Sequence, residues 1–160
     1  MLARPLREDE FASWREHSLQ GYVADMVGGG MRQDEAQDRA EGDFSNLLGD
    51  ELRTPGHTIL VLEDEASGER RGQLWFAEQE RGGCRTVYLY DIEIDEPFRG
   101  RGLGREAMLL FERLALDAGA EEAGLAVFGG NATALRLYES LDYRVVVRIM
   151  RKDLRPPEPS

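Results

Sequence analysis

A short run of arginines and glycines separates a β-branched segment of the chain from an amphipathic one. It comprises Arg99, Gly100, Arg101, Gly102, Leu103, Gly104 and Arg105. A helix that begins after such a turn presents unpaired backbone N–H groups and partial positive charge, and glycine lets a ligand approach the backbone closely. The arginines add formal positive charge around the same point. The sequence therefore predicts a site for a phosphate-bearing ligand at the start of a helix.

The spacing of these glycines excludes two common phosphate sites. A dinucleotide fingerprint would have its third glycine where this chain has Arg105, and a nucleoside-triphosphate loop needs a Gly-Lys-Ser/Thr sequence. The only lysine of the chain is Lys152. What remains is an Arg-x-x-Gly-x-Gly pattern at Arg99, Gly102 and Gly104. This pattern resembles the coenzyme A pyrophosphate loop of the GNAT superfamily of N-acetyltransferases.

A second segment resembles the same family. Asn131 follows a short apolar run at residues 125–128, beginning at Leu125, that is predicted as a buried strand. It is placed to cap a helix that carries an alanine and the pair Leu137-Tyr138. In the family, an asparagine after the fifth strand is followed by alanine, by Leu-Tyr and then by Gly-Phe at the helix end. This chain departs from the pattern with Asp142-Tyr143. Aspartate accepts the left-handed conformation of a helix end at some energetic cost, so the fold is still expected.

The resemblance implies an α+β sandwich with a mixed, mostly antiparallel central sheet. Six to seven strands are expected, with the fourth and fifth splayed apart, and about four helices flank them. The resemblance also implies acetyl-CoA as cosubstrate. The exposed backbone of Ile92, Glu93 and Ile94 would bind its pantetheine arm, and the loop from Arg99 to Arg105 would bind its pyrophosphate. Asn131 would contact the same cosubstrate, and a role as helix cap is an equal alternative that can coexist with it.

The reaction of the family requires a neutral amine to attack a thioester. A protonated amine with a pKa of about 10 must first lose a proton, directly or through water. Glu93 is the first candidate for this base and Asp91 the second, because both alternate with isoleucines and would face away from the core that the isoleucines join. Pairing with arginines or with the first helix is the alternative for both acids. Tyr138 matches the general-acid tyrosine of the family, with a core aromatic as the alternative.

The expected activity is direct transfer of an acetyl group to a primary amine within a ternary complex. The acceptor would be a small-molecule or peptide amine, and a cationic one is favoured by the net charge of −11. A non-catalytic acetyl-CoA-binding regulatory or interaction domain of the same fold is the alternative. The sequence also leaves open a homodimer in which a last strand, Val145 to Met150, is exchanged between subunits.

The amino-acid composition argues against several other classes of function. The negative charge argues against nucleic-acid binding, and the absence of a long apolar run argues against a membrane span. One cysteine, Cys84, and two histidines do not provide a nitrogen and sulfur metal site of usual spacing. The 160 residues predict a single domain over residues 1–155 and a disordered tail over 156–160. A cytoplasmic protein is expected.

Overall fold

The computed structural model describes residues 1–159, which form a sheet of five strands in the order β1-β2-β3-β4-β5. The strands are β1 (Leu2–Pro5), β2 (His57–Glu63), β3 (Arg70–Arg81), β4 (Cys84–Ile94) and β5 (Glu122–Leu125). The first four pair antiparallel with their neighbours, and β5 joins β4 in parallel. The sheet is therefore mixed and mostly antiparallel, as the sequence predicts.

Two helices cover each face of this sheet. They are α1 (Glu8–Gly28), α2 (Gln33–Leu47), α3 (Leu103–Asp117) and α4 (Ala132–Ser140). The buried residues of α1 and α2 form one core cluster with β2 and Trp75 of β3. The buried residues of α3 and α4 form a second cluster with the other face of the sheet, centred on Phe111 and Met108. The predicted α+β class and four helices are confirmed.

A β-bulge in β4 sets the direction of the side chains near its end. Trp75 of β3 pairs with Asp91, but its neighbour Phe76 pairs with Leu89, so Tyr90 is an extra residue in β4. Because of this residue, Leu89 and Ile92 both join the α3/α4 core cluster although they are three positions apart. Asp91 consequently lies on the α1 side of the sheet.

Strands β4 and β5 separate part-way along β4. Their pairing runs from Thr86 opposite Glu122 to Leu89 opposite Leu125, and β4 then continues alone to Ile94. The last residues of β4 are thus paired on one edge only, with β3. This is the splay between the fourth and fifth strands that the resemblance implies.

The strand count differs from the prediction of six to seven, because the described residues form five strands. Val145–Met150, predicted as a last strand, forms neither strand nor helix. A strand needs a neighbour to pair its backbone groups, and in the single described chain this segment has none. The fifth strand also starts earlier than the predicted Leu125, at Glu122, because its parallel pairing with β4 decides its position.

Residues 144–159 follow α4 without regular secondary structure. The predicted disordered tail over 156–160 remains a prediction, and Ser160 lies outside the described residues. Within residues 1–159, no helix is both long and apolar enough to cross a membrane.

Candidate active site

The predicted phosphate loop connects the end of β4 to the start of α3. Gly100 and Gly102 have φ angles of 74° and 79°, which only glycine adopts without strain. A Cβ at either position would point into open space, so the backbone of the loop is accessible from outside. Gly102, the N-cap residue of α3, has no side chain with which to cap it. The start of α3 therefore presents N–H groups and partial positive charge beside an accessible backbone.

Each of the three arginines of the loop donates a hydrogen bond to a neighbouring element. Arg99 donates from Nε to the carbonyl oxygen of Ile94 at 2.8 Å and ties the loop to the end of β4. Arg101 donates to the Pro97 carbonyl at 3.2 Å. Arg105 donates to Oγ of Ser140 at 2.9 Å and joins α3 to α4. All three are solvent-exposed, so their charges surround the start of α3.

The open edge of β4 lies directly before the loop. Ile92 and Ile94 pair with Leu74 and Gly72 of β3 on one side, and β5 has already diverged on the other. Gly72 lets the two strands approach closely here, because a Cβ at this position would collide with the carbonyl oxygen of Glu93. The end of β4 is thus held from behind by β3 while its other edge remains available.

The side chain of Glu93 projects from the face of the sheet that α1 covers. Its Oε2 lies 2.8 Å from Nε2 of His17, and its Oε1 lies 3.3 Å from Nη2 of Arg99. The Glu93 side chain is 27% exposed and that of His17 is 58% exposed. Glu93 is therefore reachable from solvent and lies between an imidazole on the helix and a guanidinium on the loop.

Asp91 lies deeper, between α1 and β3. Its Oδ2 accepts hydrogen bonds from Nε2 of Gln73 at 2.6 Å and from Oγ of Ser18 at 3.2 Å. Burial raises the pKa of the Asp91 carboxyl to about 6, and the nearby negative charge of Glu93 adds to the rise. The two hydrogen bonds act in the opposite direction, because they stabilise the ionised carboxylate. The Asp91 carboxyl thus holds its proton more tightly than an exposed aspartate does.

Gln73 organises the polar groups behind Asp91. It is 1% exposed, and its Nε2 also donates to Oγ of Ser18 at 2.8 Å. Its Oε1 accepts from Nη2 of Arg70 at 2.9 Å. The buried amide is fully occupied, so it fixes Ser18 and Asp91 relative to each other.

The face of α1 toward β4 is open between two polar residues. His17, Gly21 and Asp25 are spaced four residues apart and lie on one side of the helix. A Cβ at Gly21 would have nothing within 4 Å. Burial raises the pKa of Asp25, and the charge of Glu93 raises it further. The open space beside Gly21 therefore has the carboxyl groups of Asp25 and Glu93 near it.

Tyr138 and Asn131 approach the site from α4. Tyr138 is 9% exposed within the α3/α4 core cluster, and its ring lies 6.1 Å from that of Tyr143. Burial raises the pKa of its phenol, and the charge of Asp91 raises it further. Asn131 caps α4, with its side-chain oxygen accepting from the N–H of Ala134 at 3.1 Å. The cap that the sequence offers as one reading of Asn131 is therefore present.

Comparison with known proteins decides the family. The model of the Acetyltransferase (GNAT) family matches residues 9–143. The chain belongs to the GNAT acetyltransferase family. The resemblance drawn from the Arg99 loop and the Asn131 segment is thereby confirmed.

Relatives of this GNAT chain match it over almost its whole length. The uncharacterized N-acetyltransferase YdgE of Bacillus subtilis is 29% identical and aligns with 93% of this chain and 95% of its own. The crystal structure of YycN, an acetyltransferase homologue of the same organism, superposes with a TM-score of 0.90 at 27% identity, covering 97% and 99% of the two chains. The thialysine N-ε-acetyltransferase of Bos taurus is 33% identical, over 55% of this chain and 56% of its own.

The sequence singles out only part of this candidate site. It singled out the loop, the end of β4, both carboxylates, Asn131 and Tyr138. It missed His17, Gly21, Asp25 and the buried Gln73, which contact or face the end of β4 from other elements. His17 is 76 residues from Glu93, so no local pattern joins them. The even spacing of His17, Gly21 and Asp25 was the one available signal.

Proposed function

We propose that this GNAT chain transfers an acetyl group from acetyl-CoA to a primary amine by direct transfer in a ternary complex. One observation carries the proposal: the open edge of β4 joins an accessible glycine loop at one end and presents two carboxylates on the α1 side. A donor and an acceptor could thus approach the same stretch of strand from two sides. No covalent enzyme intermediate is needed in this arrangement.

Acetyl-CoA fits the groups that the loop and strand offer. When bound, it supplies an activated acetyl thioester. The N–H groups at the start of α3, with Gly100 to Arg105, would hold its pyrophosphate. The unpaired edge of Ile92, Glu93 and Ile94 would hold the pantetheine arm as an added strand. Asn131 keeps its side-chain amide group for a further contact while its oxygen caps α4.

Glu93 is the base that we propose, acting directly or through a water molecule. Its side chain is 27% exposed, and it faces α1, where we propose that an acceptor would lie. His17 lies at hydrogen-bonding distance and can pass the proton to solvent. Asp91, with a pKa of about 6, would hold negative charge behind Glu93 and favour the cationic acceptor. We expect a loss of about 100-fold or more in kcat/KM for Glu93→Gln and a smaller loss for Asp91→Asn.

Tyr138 is the proposed general acid for the departing thiolate. Its raised pKa keeps the phenol protonated at neutral pH, so the proton is available when sulfur leaves. Tyr138→Phe should leave acetyl-CoA affinity unchanged and lower kcat by about tenfold or more. Steady-state kinetics with a calorimetric Kd measure both quantities. An unchanged kcat would mean that Tyr138 is a core aromatic and not the general acid.

The acceptor is proposed to be a cationic amine. Asp25 and Glu93 lie near the open space beside Gly21, and the chain carries a net charge of −11. The related bovine enzyme is named for the ε-nitrogen of thialysine, which is also an amine. The identity of the acceptor can be sought by screening amines for release of free thiol.

The first experiment is calorimetric titration with acetyl-CoA. Gly102→Glu places bulk and negative charge in the loop and should abolish binding. Gly68→Glu is the matched control, because Gly68 also has a positive φ of 69° and open space around it, but lies in the β2–β3 turn. Binding that survives in the Gly102 variant, or that is absent from folded wild-type protein, would contradict the proposed site. Binding without turnover across the amine screen would favour the non-catalytic alternative.

A further inference from the structure

A row of polar side chains connects the surface of β3 with the buried carboxylate of Asp91. Asp95 accepts a hydrogen bond from Nε of Arg70 at 3.0 Å, and Nη2 of Arg70 donates to Oε1 of Gln73 at 2.9 Å. Nε2 of Gln73 then donates to Oδ2 of Asp91 at 2.6 Å. The side chain of Arg70 is 41% exposed, whereas Gln73 is 1% exposed. The row therefore joins a surface charge to a carboxylate in the interior.

Arg70 determines which way the amide of Gln73 points. A guanidinium can only donate hydrogen bonds, so the amide atom that faces Arg70 must be the oxygen. The two N–H groups of Gln73 must then point the other way, toward Asp91 and Ser18. A reversed amide would place donor against donor inside the protein, which is costly for buried groups.

The orientation of Gln73 also fixes the hydroxyl of Ser18. Because Nε2 of Gln73 donates to Oγ of Ser18 at 2.8 Å, the single hydrogen of that hydroxyl is left for Oδ2 of Asp91, at 3.2 Å. Among residues 1–159, both hydrogen bonds to the Asp91 carboxylate thus go to Oδ2. A proton taken up by Asp91 therefore belongs on Oδ1.

These bonds oppose the groups that favour a neutral Asp91. Burial and the charge of Glu93, which lies opposite Gln73 in the β3–β4 register, raise the Asp91 pKa. The bonds from Gln73 and Ser18 lower it, and so does the charge of His17 on α1 when that imidazole is protonated. Tyr138 on α4 also lies near enough for the charge of Asp91 to affect its phenol. Of the groups that lower the pKa, Gln73 makes the shortest bond.

We propose that Gln73 is a positioning residue: oriented by Arg70, it keeps Asp91 ionised at neutral pH and leaves only Oδ1 free to take a proton. This part of the proposal rests on the contacts of the chain alone. Its consequence for catalysis rests on the proposed function, in which the charge of Asp91 lies behind the base Glu93 and favours a cationic acceptor.

Carbon NMR of protein labelled at the aspartate Cγ atoms measures the ionisation of Asp91 without any activity. The Asp91 resonance is the one missing from Asp91→Asn. Gln73→Met keeps the length of the side chain but has no donor, so it should raise the Asp91 pKa from about 6 to about 7 or higher. Gln79→Met is the matched control, because Gln79 is on the same strand but donates to the Tyr90 hydroxyl. An unchanged or lower pKa in folded Gln73→Met would overturn the proposal.

Arg70→Met tests the orienting role at a position where the fold should tolerate the change, since the side chain is partly exposed. Without the guanidinium the amide is free to turn, so the Asp91 pKa should rise, although less than in Gln73→Met. In the double variant Arg70→Met/Gln73→Met, the pKa should equal that of Gln73→Met alone, because Arg70 acts through the amide. If the two single rises add, Arg70 acts directly through its charge and does not orient Gln73.

The pH dependence of kcat/KM tests the catalytic consequence. With a cationic amine at pH 7, Gln73→Met should lower kcat/KM by about two- to tenfold, and the ratio to wild type should recover near about pH 9 as Asp91 ionises again. Gln79→Met should match wild type at both pH values. A loss that does not change with pH would show that Gln73 acts on the structure only. If wild type acetylates no amine, the proposed function fails, while the NMR titration still decides the ionisation of Asp91.

Discussion

Ionised Asp91 destabilises the folded chain, and this makes its role testable by stability as well as activity. Its pKa of about 6 in the folded state lies above the ordinary value near 4 in the unfolded state. The unfolded chain therefore loses its proton first as pH rises, and the contribution of Asp91 to stability falls between about pH 4 and pH 6, by roughly 2–3 kcal/mol.

Asp91→Asn should remove this penalty, because asparagine can still accept the bonds from Gln73 and Ser18 but carries no charge. At about pH 7.5 its free energy of unfolding should exceed that of wild type by on the order of 2 kcal/mol, with little difference near pH 4. Urea denaturation at the two pH values measures this. Asp38→Asn, at an exposed position of α2, is the control. An equal gain at both pH values would mean that ionisation is not the cause.

Gly21 is expected to determine access of the acceptor, on the basis of the proposed function. A mid-helix glycine destabilises a helix by roughly 1 kcal/mol relative to alanine, yet a larger residue here would meet no steric obstacle. Gly21→Leu should raise the acceptor KM about tenfold or more and leave the acetyl-CoA Kd unchanged. Gly42→Leu is matched, because Gly42 is also exposed, mid-helix and unobstructed. Equal KM values for the two variants would place the acceptor elsewhere.

At the scale of elements, the contact between β3 and β4 is expected to control the position of Glu93. Gly72→Ala would force its Cβ against the Glu93 carbonyl, so β4 must move. The expected result is a fall in kcat/KM of about tenfold or more together with a loss of roughly 1–3 kcal/mol of stability. Gly124→Ala is the control, because its Cβ would make only ordinary contacts with Tyr88. Lost stability with intact kcat/KM would show that Glu93 tolerates the shift.

Local sequence patterns predict most of these elements. The helices and β2 to β4 follow from hydrophobic spacing and turn residues, and the left-handed conformation expected at Asp142 is present with φ of 67°. The patterns could not place β5, whose position is decided by pairing with β4. They also could not join His17 to Glu93 or Gln73 to Ser18, because these contacts depend on how α1 packs across the sheet. Whether Val145–Met150 forms a strand depends on a neighbouring strand, which the local sequence does not specify.

At the scale of the whole molecule, the net charge should influence how the acceptor arrives. A net charge of −11 attracts cations. Salt screens this attraction beyond a Debye length, which is about 10 Å at 0.1 M. The KM of a cationic acceptor should therefore rise with sodium chloride concentration while kcat stays constant. The rise should be steeper for a dicationic amine than for a monocationic one of similar size. A salt response independent of acceptor charge would contradict this steering.

Helix α3 begins without a side-chain cap, and this has a metabolic consequence under the proposed function. If acetyl-CoA binds only the folded chain, its concentration enters the folding equilibrium directly as RT ln(1 + [L]/Kd). The first turn of α3 would then be most open to deuterium exchange and proteolytic attack when the cosubstrate is scarce. The cellular lifetime of the enzyme, and not only its rate, would follow the supply of activated acetyl groups.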